Sequence, residues 1–266
     1  MNVAPISKLD PQTTSFASAW PLADGLPPSV WAAQTLRNHS QGVSCMPFDA
    51  FNLALHVSDD AALVQANRLM LLQSLAALGV HQVHWLNQTH STRVVRINHD
   101  SPLAFDPPDA DAIVTDQAGV AIVVMTADCL PIVLCDANGR ELACIHAGWR
   151  GLLNGVIEST VQAMRVRPNM AWLGAAIGPT AFEVGDEVRA AFVQHDAATA
   201  SAFLPSANGR WLANLYDLAR MRLHALGIVQ ISGGDQCTVR DEVRFYSFRR
   251  EPRTGRMATV ALIRPR

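Results

Sequence analysis

The chain has 266 residues, a formal net charge of −2 and 49% hydrophobic residues, a size at which one mixed α/β domain with a sizeable core is common. The near-neutral balance and a pI near 6.5 carry no electrostatic footprint for nucleic acid or an anionic membrane surface. The longest strongly apolar run, residues 119–127, is far short of a bilayer span, and no signal peptide opens the sequence. Five cysteines, Cys45, Cys129, Cys135, Cys144 and Cys237, form an odd and sparse set that suits a reducing cytosol rather than a disulfide framework. Lys8 is the only lysine, which almost removes Schiff-base chemistry and lysine-dependent phosphate loops and leaves arginine to handle any anion.

Residues 1–44, rich in Pro, Ser and Thr, read as an irregular N-terminal segment ahead of a short strand over 51–57. A helix follows over 58–79, with Ser58 or Asp59 as its cap and apolar residues at 63, 66, 69, 70 and 77 in helical period. Strands are expected near 81–86, 92–97, 111–116 and 119–126. Two apolar runs then flank Asn138-Gly139, the strongest short hairpin signal. Residues 151–166 read as a second helix, 171–178 as a strand, and 183–195 and 214–227 as further helices. There is no repeat, low-complexity tract or interdomain linker. Hairpin strands with inserted helices predict an α+β fold, one catalytic domain over 1–266 with mixed, largely antiparallel sheets.

The hairpin gives geometry directly. A two-residue Asn138-Gly139 turn sets Ala137 against Arg140 and, at the far end, His146 against Pro131, provided the proline makes no bulge. Cys129 lies two residues beyond Pro131, so Cys129 and His146 share a sheet face as a diagonal pair roughly 7–8 Å apart. Cys135 is out of reach at roughly 20 Å along the strand, and Cys144 remains a weaker candidate on the same face. A thiolate beside an imidazole makes either a soft metal site or a nucleophile–base pair. A buried cysteine and a satisfied histidine would be the ordinary alternative for a random pair. Here both residues sit where strands end among small or polar neighbours, the usual setting of a site. Glycines beside His146 permit close approach, and a helix starting near Gly151 with Arg150 beside it favours an anion such as phosphate.

The run TADCLPIVLCD followed by HAGWRG, with TLRNHSQGVS, FNLALHVSDD, Asn67-Arg68, LNQTHSTRV, IGPTAFEVGDEV and CTVRDEVRFYSFRREPRTGR in this order, resembles the bacterial family known as laccase-domain, peptidoglycan-editing-factor or purine nucleoside phosphorylase-like proteins. The likeness spans nearly the whole chain. It implies one zinc held by His90, Cys129 and His146 as the catalytic centre, with a fourth position open to water or substrate, the ligand count of a catalytic site. It further implies that Arg37, Asn52, Arg68 and Arg150 line the substrate pocket. Ser58 stands where the family usually has Gly, His39-Ser40 interrupts a Gly-rich opening, Thr180-Ala181 replace a frequent Cys, and Phe248 replaces a polar or aromatic-polar residue. None of these departures touches the three ligands.

The activity implied by the resemblance is phosphorolysis of adenosine, inosine, guanosine and methylthioadenosine, with deamination of adenosine, in the cytoplasm. The partners are then purine nucleosides and phosphate, with no nucleic acid and no membrane. The H-x-E and P-C-x-x-C pattern of zinc deaminases is absent. Three rivals stand beside this reading. A copper polyphenol oxidase needs many imidazoles, and nine histidines without a His-x-His pair supply few. A peptidoglycan-precursor editing hydrolase could use zinc water or Cys129 with His146 as base. The third is a non-catalytic zinc module. Among the other histidines, His81 and His84 read as surface or edge residues, His56 follows a strand pattern with a place near the pocket as the alternative, and His99, His195 and His224 read as polar or helix-surface positions. Arg249, Arg250 and Arg256 read as a solvated face, while the resemblance implies that Arg250 or Arg256 anchors the site. Asp128 orients a ligand or caps a turn.

Overall fold

The computed structural model describes residues 20, 22–98, 100–103 and 106–265; Lys8 and His99 lie outside them. In chain order the elements are β1 (Val30–Gln34), α1 (Ala61–Ala76), β2 (Gln82–His84), β3 (Val94–Ile97), β4 (Ala112–Thr115), β5 (Val120–Thr126), β6 (Leu130–Cys135), β7 (Leu142–Ala147), α2 (Trp149–Asn154), α3 (Val156–Ala163), β8 (Met170–Leu173), β9 (Glu183–Val184), α4 (Asp186–His195), β10 (Phe203–Pro205), β11 (Trp211–Ala213), α5 (Leu215–Ala225), β12 (Gln230–Gly233) and β13 (Met257–Ile263). A six-stranded sheet has the order β12-β8-β6-β7-β4-β3, a four-stranded sheet the order β1-β13-β5-β2, and a small one the order β10-β11-β9. Most pairings are antiparallel, with β12/β8, β2/β5 and β3/β4 parallel. This is the α+β architecture with mixed sheets that the pattern of hairpins and helices predicts. No helix among the described residues is long and apolar enough to cross a membrane.

The sheets stack in layers, because alternate residues of each central strand serve different cores. Leu130, Ile132 and Leu134 of β6 with Ala143 and Ile145 of β7 pack under Leu152, Val156, Ile157 and Leu218 of the helices. Their neighbours Val133, Cys135, Leu142 and Cys144 turn to the other face, against Val120, Ile122 and Val124 of β5. The far face of β5, through Ala121 and Val123, packs with Leu71 and Leu75 of α1. Strands buried on both faces read as continuous apolar runs rather than as alternation.

Several elements differ from the sequence expectation. The segment 1–44 is not irregular throughout, since β1 occupies Val30–Gln34, is fully buried, and pairs antiparallel with β13. Its run VWAAQ is short and lacks alternation because both faces are covered. Conversely, the expected strand over 51–57 is a loop. Its carbonyls are met by side chains of α1 in place of a ladder: Asn67 donates to the carbonyls of Ala50 and Asn52, and Arg68 Nε to that of Leu53 at 2.8 Å. Asp60, not Ser58 or Asp59, caps α1, accepting from the Ala62 amide. Ser58 holds φ of 66°, a left-handed conformation that glycine adopts without the Cβ penalty, which gives a local reason for glycine at this position. The helix expected over 151–166 begins at Trp149 and is cut in two by Gly155, whose φ is 92°. Of the two histidines expected at the surface or an edge, His81 is exposed and His84, though buried, ends β2, the edge strand of its sheet.

Candidate metal centre and its cavity

The β6–β7 hairpin has the pairing expected of it. Pro131 faces His146 and Leu130 faces Ala147, so the proline introduces no bulge. The tip is wider than a two-residue turn: the ladder ends at Cys135–Leu142. The Asp136 carboxylate gathers the tip, accepting from the amides of Asn138, Arg140 and Glu141 and from Arg140 Nε. Register is kept because the six-residue connection preserves parity.

At the other end of the hairpin, one donor atom each from His90, Cys129 and His146 lies within 4.8 Å of the others. Cys129 Sγ is 3.7 Å from His90 Nε2, and the two imidazole centroids are 4.8 Å apart. His90 is exposed, Cys129 half-buried and His146 buried. His90 and Asp128, which precedes Cys129, both hold positive φ, 59° and 90°, so both ligand-bearing turns use backbone that side chains seldom favour. Gly148 completes the cradle. A Cβ there would lie 2.8 Å from His90 Cδ2 and 3.0 Å from Cys129 Sγ. Two imidazoles and one thiol, convergent and lined on one side by cavity, fit a borderline-soft divalent ion with an open coordination position. Cys144, the weaker candidate, is buried in the core with its thiol toward the Ile122 carbonyl and does not join the cluster.

Asp111 orders the cluster and was not singled out from the sequence. Fully buried, it accepts from His146 Nδ1 at 2.8 Å and from the His90 amide at 3.0 Å through one oxygen. The other oxygen accepts from the Ser91 amide and hydroxyl at 2.5 and 2.7 Å and from Thr89. Burial alone would raise this carboxyl, but the hydrogen bonds from His146 and Ser91 outweigh it and hold it at about 2. With Nδ1 bound to a carboxylate, Nε2 of His146 is left for the cluster, the usual arrangement behind a metal-bound histidine. Burial would also raise the Cys129 thiol, yet His146 and then His90 bring it down to about 6. Burial would lower His146, and Cys129 and Asp111 reverse that, raising it to about 9. By contrast, burial pushes the Cys135 thiol up to about 12.

A cavity of about 510 Å³ opens over the cluster, with His56, Met125, Trp149, Phe182 and Phe248 in its walls and Arg150, Arg249 and Arg256 as its guanidinium groups. Its volume is that of a small-molecule site. Each guanidinium lies over an aromatic ring, Arg150 over Trp149 at 4.4 Å, Arg249 over Phe182 at 5.5 Å and Arg256 over Phe248 at 5.8 Å. Asp128 ties the cysteine turn to the C-terminal segment, accepting from Thr238 Oγ1 and the Arg249 amide, both at 2.6 Å.

Of the residues expected to line the pocket, Arg150 does so. Arg37, Asn52 and Arg68 are not in the cavity wall. Arg37 is paired with Asp49 and Glu251 beside a separate depression. Arg68 is stacked at 4.1 Å on Trp85, braces the 51–57 loop through the Leu53 carbonyl, and reaches Met125 Sδ, itself in the cavity wall, at 4.0 Å. Asn52 is fully buried, and its amide spans Ala54, Asp59 and the Arg256 amide, so it reaches the cavity only through Arg256. His56 and Arg256 line the cavity, and Arg250 anchors the closing segment through the carbonyls of Thr238, Val239 and Phe245. No local spacing marks Asp111 or Arg256 as site residues.

Known proteins resemble this chain over nearly its whole length. A purine nucleoside phosphorylase of Pseudomonas aeruginosa is 47% identical over 247 residues, 91% of this chain and 98% of its own. A protein of the same name from Haemophilus influenzae is 43% identical, covering 88% of this chain and 95% of its own. Among solved structures, a Neisseria meningitidis protein superposes with a TM-score of 0.85 at 41% identity, covering 92% of this chain and 99% of its own. YlmD from Geobacillus stearothermophilus does so at 0.78 and 28%, covering 91% and 94%. The family described as multi-copper polyphenol oxidoreductase laccase matches residues 32–264, and the chain belongs to that family.

Proposed function

We propose that this protein is a cytoplasmic purine nucleoside phosphorylase that also deaminates adenosine, with one zinc held by His90, Cys129 and His146. The observation that carries the purine reading is the 47% identity, over nearly the full length of both chains, to a protein named for that activity. All five cysteines are free, as a reducing compartment keeps them. When bound, zinc would supply a Lewis acid and lower the pKa of a water molecule.

The chain's own groups have separable roles in this reading. In phosphorolysis a phosphate oxygen bonds to the ribose C1′ while the bond from C1′ to the purine nitrogen breaks, giving ribose 1-phosphate and a base that takes up a proton. With no lysine among the described residues that line the cavity, Arg150 and Arg249 bind the phosphate from its exposed rim, and Arg256 neutralises charge deeper in. Burial, then Arg256 and Arg68, lower the His56 pKa, which favours an uncharged imidazole whose ring N–H can hydrogen-bond the departing base, the base taking its proton from solvent water. Arg37, Asn52 and Arg68 support the site by bracing its surroundings. The test is incubation of purified protein with adenosine, with and without phosphate, and identification of adenine, inosine, hypoxanthine and ribose 1-phosphate. Products that Cys129→Ala abolishes are expected; no product from any nucleoside would overturn the reading.

One observation favours a second reading. The Cys129 thiol drawn down to about 6 beside His146 is also the setting of a nucleophilic cysteine, as an amide hydrolase editing peptidoglycan precursors would use. Release of L-serine or another residue from a muramyl precursor without phosphate would select it. The copper oxidase suggested by the family's description requires several copper sites, whereas one His-Cys-His group is found among the described residues. Metal analysis returning about one zinc per chain separates the two, and stoichiometric copper would revive the oxidase.

A further inference from the structure

The cavity contains one aromatic ring whose exposure its fold does not require. Phe248 is 52% exposed, while its neighbours Phe245, Tyr246 and Ser247 are fully buried. The turn that carries it is pinned on both sides: the Arg249 amide donates to Asp128 at 2.6 Å, the Arg250 amide to Ser247 Oγ at 3.2 Å, and the Tyr246 hydroxyl to the Phe48 carbonyl at 2.6 Å. The Arg256 guanidinium lies over the ring at 5.8 Å. The other two aromatics paired with cavity arginines are placed differently. Phe182 is only 7% exposed, and Trp149, partly buried at the start of α2, packs against the core. Phe248 therefore presents a π-surface to the cavity from a turn whose backbone is already held, so little backbone ordering is needed when a flat ligand arrives.

We propose that Phe248 is the base-stacking residue of the site, the purine lying on the ring surface left open by Arg256. The assignment rests on the purine reading above. It carries a specificity rule: a stack reads the π-face of the base and ignores the substituent at C6, so adenine, hypoxanthine and guanine gain alike. The smaller single ring of a pyrimidine covers less of Phe248 and gains less. The guanidinium beneath the ring strengthens the platform by the same attraction that holds it there.

The experiment measures KM and kcat for adenosine, inosine and guanosine, together with calorimetric binding of free adenine, hypoxanthine and guanine. Phe248→Ala is expected to raise all three KM values about tenfold or more and by similar factors, with kcat changed by less than about threefold and metal content unchanged. Phe248→Trp and Phe248→Tyr are expected to keep wild-type values, and Phe248→Leu, apolar without a π-face, to behave as Phe248→Ala. Unmoved KM values in Phe248→Ala, a wild-type Phe248→Leu, or an effect on one base alone would overturn the stack and leave the phosphorylase reading intact. Wild-type protein that binds the free bases through Phe248 but turns over no nucleoside would overturn that reading and keep the stack. Failure of both turnover and base binding overturns both.

Discussion

Asp111 and His146 are joined by a 2.8 Å hydrogen bond at the floor of the candidate metal centre, and the same carboxylate oxygen accepts the amide of His90. A buried acceptor with two charged oxygens thus orients two donors that lie on different elements. Asp111→Asn replaces one oxygen by an NH₂ group that confronts donors at Ser91 or His146. The expected result is a loss of metal affinity of roughly 10–100-fold, the usual cost of removing a partner behind a metal ligand. Chelator competition reads it directly, and wild-type affinity in the variant would refute the orienting role.

Gly148 offers a cleaner separation of site from fold. Its φ of −64° and ψ of 160° suit alanine, so the backbone has no objection to a side chain. The added Cβ would meet His90 and Cys129 at 2.8 and 3.0 Å. Gly148→Ala is expected to keep the melting temperature within a few degrees while lowering bound metal at least tenfold. A variant that loads metal normally would show that the cluster yields to the methyl group.

Asn52 is expected to behave as a support. Asn52→Ala, at a fully buried position, leaves the Arg256 and Ala54 amides without their acceptor and takes one donor from the Asp59 carboxylate. About 2 kcal/mol of stability should be lost, seen as a fall in the denaturant midpoint. Because Arg256 loses its tether, KM should rise as well, whereas a residue in the cavity wall would change KM with stability intact.

Arg150 is the mirror case. It is exposed at the cavity rim, where it stacks on Trp149. Arg150→Ala is expected to raise KM for phosphate about tenfold while leaving the nucleoside KM within about threefold and the melting temperature unchanged. Steady-state kinetics with each substrate varied in turn will measure the two constants.

The hairpin tip adds a pH dependence. Burial would raise the Asp136 carboxyl, but hydrogen bonds from Arg140, Asn138 and Glu141 hold it below its ordinary value. A carboxyl depressed in the folded state stabilises fully above its unfolded pKa of about 3.9. That stability is lost as pH falls through the lower folded value. The stability difference between wild type and Asp136→Ala should therefore be flat above about pH 5 and shrink below about pH 4, as followed by urea unfolding across that range. A difference that is constant into acid would remove the charge from the account.

Much of the scaffold was legible because it is local. Asp136 to Arg140 and the two flanking apolar runs carry the hairpin, and parity along them sets Cys129 and His146 on one face without any other part of the chain. The 51–57 loop misread as a strand shows the opposite case. Its apolar residues are buried, but its carbonyls are met by Asn67 and Arg68 from the following helix, a substitution that no hydrophobic pattern records. β1 failed for a related reason: a strand covered on both faces carries no alternation to find.

The sequence by itself determined the class of the fold, the register of the central hairpin and the Cys129–His146 pair, since each depends on side-chain period and turn length within a few residues. Only the tertiary structure decided that Asp111 stands behind the two histidines, that Arg256 rather than Arg37 faces the cavity, and that Asn52 works through a residue 204 positions away. Those choices are made by hydrogen bonds between distant segments, whose partners are selected by three-dimensional proximity and desolvation rather than by spacing along the chain.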